Sequence, residues 1–154
     1  FSSDGTVGPD ASRRLRGIVL HNILSSVVVP EDLKPAIDKA VDSGELTALQ
    51  ADEAFGLLSR RILSAQSRGW FSESPDEVLN ERPLATAGGE SLRPDRVSIR
   101  NGEVLIIDYK FGRPHPSYLD QVRSYMETYR SLGYATVRGY LWFVPDDKVF
   151  EVLE

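Results

Sequence analysis

The dipeptide Asn101-Gly102 constrains this chain more than any other two residues. It lies between Arg96-Val-Ser-Ile-Arg100 and Glu103-Val-Leu-Ile-Ile-Asp108, two runs rich in β-branched residues. Asn-Gly flanked by strand-forming residues is the strongest short-range signal for a two-residue type I′ hairpin, because both positions take positive φ at low cost. The register follows by counting outward from the turn. Arg100 faces Glu103, Ile99 faces Val104, Val97 faces Ile106 and Asp95 faces Asp108. One face of the hairpin then carries Asp95, Val97 and Ile99 against Val104, Ile106, Asp108 and Lys110. Directly opposed side chains have Cβ atoms roughly 5 Å apart, and like charges there destabilise the pair. A divalent cation at the open end of the hairpin removes that penalty.

The totals bound the setting. A chain of 154 residues is expected to form one domain with a real core. The absence of cysteine excludes a disulfide framework, a thiolate zinc site and an iron–sulfur cluster, and is compatible with a reducing cytosol. No apolar run approaches the roughly 20 residues of a membrane span, and no export signal is recognisable. The net charge of −5 disfavours a bulk electrostatic grip on nucleic acid. Arg93, Arg96, Lys110 and Arg113 nevertheless gather near the open end of the hairpin in sequence. With the start at Phe1, these features suggest an excised domain whose main DNA-holding surface lies elsewhere.

Residues 1–9 read as a polar Gly/Ser/Pro linker. Asp10 or Ser12 is expected to cap a helix running to about Val29, apolar nearly all round and therefore buried, with His21 on a buried face. Pro30 opens a second helix, with Leu33, Ile37, Ala40 and Val41 inward, ended by Gly44. Thr47 with Gln50 forms a capping box for a third helix carrying Phe55, Leu58 and Ile62 inward, after which Trp70 and Phe71 close the core. Residues 10–71 thus make a helical part and 72–154 an αβ core. Val78–Ala85 is a strand bearing Glu81, Gly88-Gly89 a turn into the hairpin, and Ser117 with Asp120 the cap of a helix ending near Gly133. That helix has Leu119, Val122, Met126 and Tyr129 as its apolar stripe, with Gln121 and Tyr125 beside it. Ala135–Val144 and Val149–Leu153 are the last two strands. Helices, three strands, a helix and two strands predict an α/β domain with a mixed sheet.

Hard cations such as Mg²⁺ are held by one or two carboxylates, waters and substrate phosphate oxygens. Asp95 and Asp108 supply the carboxylates. Lys110, on the same strand face, stabilises their ionised forms, orients or deprotonates an attacking water and offsets transition-state charge. This donor set suits phosphodiester hydrolysis. The competing reading is a surface ion cluster at a sheet edge, since Asp-x-Lys is common. Against it, the register pairs the aspartates independently, and a buried carboxylate pair without a cation forces one member to protonate. Read alone, His21 is a satisfied core histidine, Tyr125 a core residue, Gln121 its solvated neighbour, and His115 an exposed loop residue.

Pro94-Asp95, twelve residues, then Asp108-Tyr109-Lys110 resembles the signature of the PD-(D/E)XK nuclease superfamily. Gln121 and Tyr125 resemble the Gln-x-x-x-Tyr motif of its RecB-like branch, and Gly17-Ile-Val-Leu-His21 the histidine-bearing first motif of that branch. The resemblance covers about Arg16 to Tyr140 and is closest to the nuclease domains of RecB- or AddA-type helicase–nucleases. It implies a restriction-endonuclease-like sheet flanked by helices and an N-terminal helical subdomain. It also implies Asp95, Asp108 and Lys110 as catalytic residues, and His21, Asp95, Asp108 and the carbonyl of Tyr109 as ligands of Mg²⁺ or of Mn²⁺ in its place. By the same resemblance Gln121 and Tyr125 position DNA or the lysine, and Glu81 is a direct metal ligand, an outer partner of the ligands or ordinary strand charge. Arg93 and Arg113 are candidate phosphate contacts by location.

The implied activity is that of a Mg²⁺-dependent DNA exonuclease domain in a bacterial cytoplasmic, nucleoid-associated helicase–nuclease of double-strand-break repair. Its partners are single-stranded DNA ends, the helicase portion and a second subunit, with no membrane. Two alternatives stay open: a catalytically silent module of the same fold that binds DNA or protein, and a repair or restriction endonuclease acting alone.

Overall fold

The computed structural model describes residues 9–85, 89 and 91–153. The expected linker thus lies almost wholly outside the described residues, as do Gly88 of the Gly88-Gly89 turn and the side chains of Asp10 and Ser12.

Four helices, α1 (Pro9–Ser25), α2 (Leu33–Asp42), α3 (Ala48–Gln66) and α4 (Ser117–Ser131), pack on a sheet. The strands are β1 (Val78–Asn80), β2 (Leu84–Ala85), β3 (Ser91–Leu92), β4 (Arg96–Arg100), β5 (Glu103–Lys110), β6 (Thr136–Phe143) and β7 (Lys148–Val152). Five of them form one mixed sheet in the order β1-β4-β5-β6-β7, in which only β5 and β6 run parallel. The α/β class expected from the element order holds.

The hairpin takes the register that its turn predicts, with Val97 opposite Ile106, Ile99 opposite Val104 and Arg100 opposite Glu103. Asn101 and Gly102 have φ of 53° and 78°, the left-handed pair a type I′ turn requires. Alternation then sorts the strands between two cores. Val97, Val104 and Ile106 pack with Val122, Met126 and Tyr129 of α4, while Ile107, Tyr109 and Trp142 pack with α1, α2 and α3. Helix α4 approaches β6 closely because residue 139 is glycine; a Cβ there would lie 2.6 Å from both Met126 Sδ and Val122 Cγ1.

Several local expectations are revised. Helix α1 ends at Ser25, not near Val29, because the following backbone is captured elsewhere. Asp32 Oδ2 accepts from the amides of Val28 and Val29, and Asn80 and Arg96 donate to the carbonyls of Val27 and Val28. The helix is also not buried all round, since Ile18 is exposed. Thr47 and Gln50 form the capping box of α3, and its inward stripe is Ala54, Leu58, Ile62 and Ala65. Phe55 lies one position, about 100°, round from that stripe and is exposed. The strand expected over Val78–Ala85 breaks at Glu81, whose φ is 48°; β1 joins the main sheet and β2 pairs with β3 separately. Pro83 in the gap has no N–H to offer a ladder. Ser117 does not cap α4. It is the first helical residue, and the imidazole of His115 accepts from its amide at 3.1 Å.

Candidate metal centre

The site forms at the open end of the β4–β5 hairpin, where α1 comes in from one face and α4 from the other. Asp95 and Asp108 are both buried. Asp95 Oδ2 accepts from the amide of Tyr109 at 2.8 Å, which fixes the carboxylate against the neighbouring strand, and His21 Nε2 donates to the same oxygen at 3.1 Å. His21 is partly exposed and stands edge-on to the rings of Tyr109 and Phe111.

The carboxyl groups are electrostatically unequal. Burial pushes Asp108 up to about 7, and the charge and hydrogen bond of Asp95 push the same way, against the pull of Lys110. Burial also acts to raise Asp95, yet hydrogen bonds from His21, Asp108 and the Tyr109 amide outweigh it and hold that carboxyl below its ordinary value. The hydrogen bond to Asp95 raises His21, against the opposing effect of its own burial. Below about pH 7 the protein without a cation therefore holds a proton on Asp108, where the register predicts two facing carboxylates.

Lys110 is held from three sides. Its Nζ lies 2.7 Å from Asp108 Oδ2, donates to Gln121 Oε1 at 3.1 Å and sits 4.1 Å from the centre of the Tyr118 ring. Tyr125 is buried one turn along α4 from Gln121; burial, then the charges of Asp108 and Asp95, raise its hydroxyl above the ordinary phenol value. Gln121 thus reaches the lysine, and Tyr125 lies within the field of the carboxylates.

One nitrogen of His21 and one carboxylate oxygen each from Glu81 and Asp95 lie within 4.8 Å of one another. An octahedral ion with bonds of about 2.1 Å spaces opposite ligands about 4.2 Å apart, so small side-chain adjustments bring these three onto one cation. The donor set, one imidazole and two carboxylates, fits a hard divalent ion. Of the three readings of Glu81, this placement favours a possible direct ligand. The break in the strand delivers it: the backbone turns at Glu81, whose amide donates to the carbonyl of Asp95 at 3.1 Å. Asp108 adjoins this trio through Asp95. Tyr109 contributes its amide to Asp95, while its side chain is buried among the aromatic residues of the other face.

Arg93 and Arg113 are exposed. Arg96 is not part of that surface group. It is fully buried, its guanidinium lies 4.0 Å from the centre of the Phe71 ring and 3.5 Å from Glu73 Oε2, and its Nη1 donates to the carbonyls of Val27 and Val28. Asn80 donates to the carbonyls of Ser25 and Val27. The residue before Glu81 and the residue after Asp95 therefore grip the same stretch of backbone, just beyond the helix that carries His21. This clamp escaped the sequence reading. Strand alternation was the available signal for Arg96, since a neighbour of Asp95 must point to the opposite face; no signal marked Asn80.

No protein-family model matches the chain, and no curated protein matches it.

Proposed function

We propose that the chain is a Mg²⁺-dependent DNA nuclease domain of the PD-(D/E)XK type, RecB-like in its motifs, that works as an exonuclease joined to a helicase in double-strand-break repair. One observation carries this reading: Asp95, Asp108, Lys110, His21 and Glu81, from four separate segments, converge where the sequence register alone predicts a carboxylate pair in need of a cation. His21, Glu81, Asp95 and, through its neighbour, Asp108 would hold the ion. When bound, it supplies Lewis-acid stabilisation of charge on the phosphate and lowers the pKa of water.

The chain's own residues do the rest. Lys110, fixed by Asp108 and Gln121, presents an ammonium group to the reacting phosphate and to the water aligned for attack. Water adds to phosphorus, one P–O ester bond breaks, and the products end in a phosphate and a hydroxyl. Tyr125 and Gln121 keep the lysine and carboxylates in register from the side of α4. The acidic net charge favours a second reading, a silent module of the same fold that binds without cutting.

Incubation of the purified protein with linear single-stranded DNA and Mg²⁺ or Mn²⁺ separates the two. The nuclease reading expects cleavage that falls at least a hundredfold in Asp108→Ala and Lys110→Ala. Undiminished cleavage in either variant overturns the assignment, and metal-independent binding without cleavage favours the silent module.

A further inference from the structure

Two clefts adjoin the candidate centre and merge. The first, of about 300 Å³, is lined by His21 and Lys110 of the centre and by Arg13, Phe111 and Tyr118 among others. The second, of about 680 Å³, continues from it along Arg13, Phe111 and Tyr118 to Arg113 and His115. Among the described residues neither lining contains an acidic one, although the chain has 23 Asp and Glu against 18 Lys and Arg. The path is thus locally basic in an acidic protein, and aromatic rings form part of its wall. Arg13 comes from α1 and Arg113 from the loop after β5, so the cationic groups belong to two separate elements flanking the cleft.

A positive groove with interleaved aromatic rings is the chemistry that holds an unpaired nucleic-acid strand. The phosphates pair with the cations, and the exposed base faces stack on the rings, which paired bases in a duplex cannot do. We propose that this cleft is the track of unpaired DNA beside the scissile phosphate. Arg13 and Arg113 hold backbone phosphates, and Phe111 and Tyr118 stack bases. The inference rests on the nuclease reading for the direction of the track toward Lys110, but its test does not depend on cleavage.

The test is fluorescence anisotropy with labelled oligothymidylate, in Ca²⁺ so that turnover does not intervene, on the intact chain. Exposed Arg13→Ala and Arg113→Ala should each weaken binding severalfold and reduce the slope of log affinity against log salt by about 0.7. Phe111→Ala and Tyr118→Ala should weaken it about tenfold with the slope unchanged. Thermal melting of each variant separates lost binding from lost fold, and the two arginine variants keep the test open should an aromatic variant unfold. The proposal is overturned by equal affinity across the four variants, by duplex DNA binding as tightly as the single strand, or by tighter binding of oligouridylate. Polyphosphate competing as well per phosphate would reduce the cleft to a bare anion site and also overturn it. Cleavage lost in the assay of the preceding section, with this binding profile intact, would sink the nuclease reading alone.

Discussion

Two buried charge pairs stand one residue apart on β4 and its approach. Arg96 and Glu73 lie on the helical face, oppositely charged, with the guanidinium over Phe71 and tied to two backbone carbonyls. Asp95 and Asp108 lie toward α4, alike in charge, with the Asp108 carboxyl pushed up to about 7 and a lysine as partial compensation. The first pair joins opposite charges within the protein, although among the described residues Arg96 Nε and Nη2 and Glu73 Oε2 find no hydrogen-bond partner. The second brings two like charges together, and Lys110 offsets them only in part. Strand alternation thus separates an oppositely charged pair from a like-charged one with no intervening residue, and Arg96 ties the backbone just beyond the helix of His21 to the strand of Asp95. Phe71 has a φ of 56°, an uncommon conformation for a bulky residue, and its ring receives the guanidinium.

Removing one member of each pair should therefore have opposite effects on stability. Arg96→Leu leaves Glu73 buried and unpaired, and should cost about 3–5 kcal/mol in urea unfolding. The double variant Arg96→Leu/Glu73→Leu should recover much of that loss. A loss below about 1 kcal/mol in Arg96→Leu would mean that the pair is not desolvated as described. Asp108→Asn removes a carboxyl that burial and Asp95 both oppose. It should stabilise the cation-free protein at pH 8 by about 1–3 kcal/mol while abolishing the proposed nuclease activity. Destabilisation at pH 8 would contradict the like-charge account.

The pH dependence sharpens the same contrast. The folded pKa of Asp108, about 7, lies above its unfolded value, so between roughly pH 4 and 7 the folded state holds a proton that the unfolded state has released. Stability of the cation-free protein then falls as pH rises through that window. His21 is also raised, which adds stability at low pH that is lost as pH rises through its folded pKa, in the same direction. Asp95 is lowered and acts only in more acidic solution, where its contribution is lost as pH falls. Chemical denaturation from pH 5 to 8 should show the decline, and Asp108→Asn should flatten most of it. The smallest effect belongs to the far end of the hairpin. Gly102→Ala, at a φ of 78°, should cost about 1 kcal/mol in unfolding and leave cation affinity unchanged.

The contrast also explains what could be read from the residues. The Asn101-Gly102 turn made the register arithmetic, and the facing of Asp95 and Asp108 followed from a local rule. The capping box at Thr47 and Gln50 was legible for the same reason. Glu81 was harder to place because a break in a strand depends on what the neighbouring backbone bonds to, here the carbonyl of Asp95, fourteen residues on. The clamp of Arg96 and Asn80 on the end of α1 spans more than fifty residues and leaves no local trace. Phe55 and Ile18 misled because an apolar residue beside a buried stripe looks like part of it until the packing partners are known. The cleft of Arg13 and Arg113 joins residues a hundred positions apart, and only the fold places both beside the hairpin.

The central claim is that the Asp95–Asp108 end of the hairpin is built for a cation. Calorimetric titration with Mn²⁺ at pH 6 and pH 8 tests it most directly. Saturable binding that is tighter at pH 8 is expected, because at pH 6 the ion competes with protons on Asp108 and His21, both raised, and that binding should be lost in Asp95→Asn. No binding at either pH, or binding unaffected in Asp95→Asn, would contradict it.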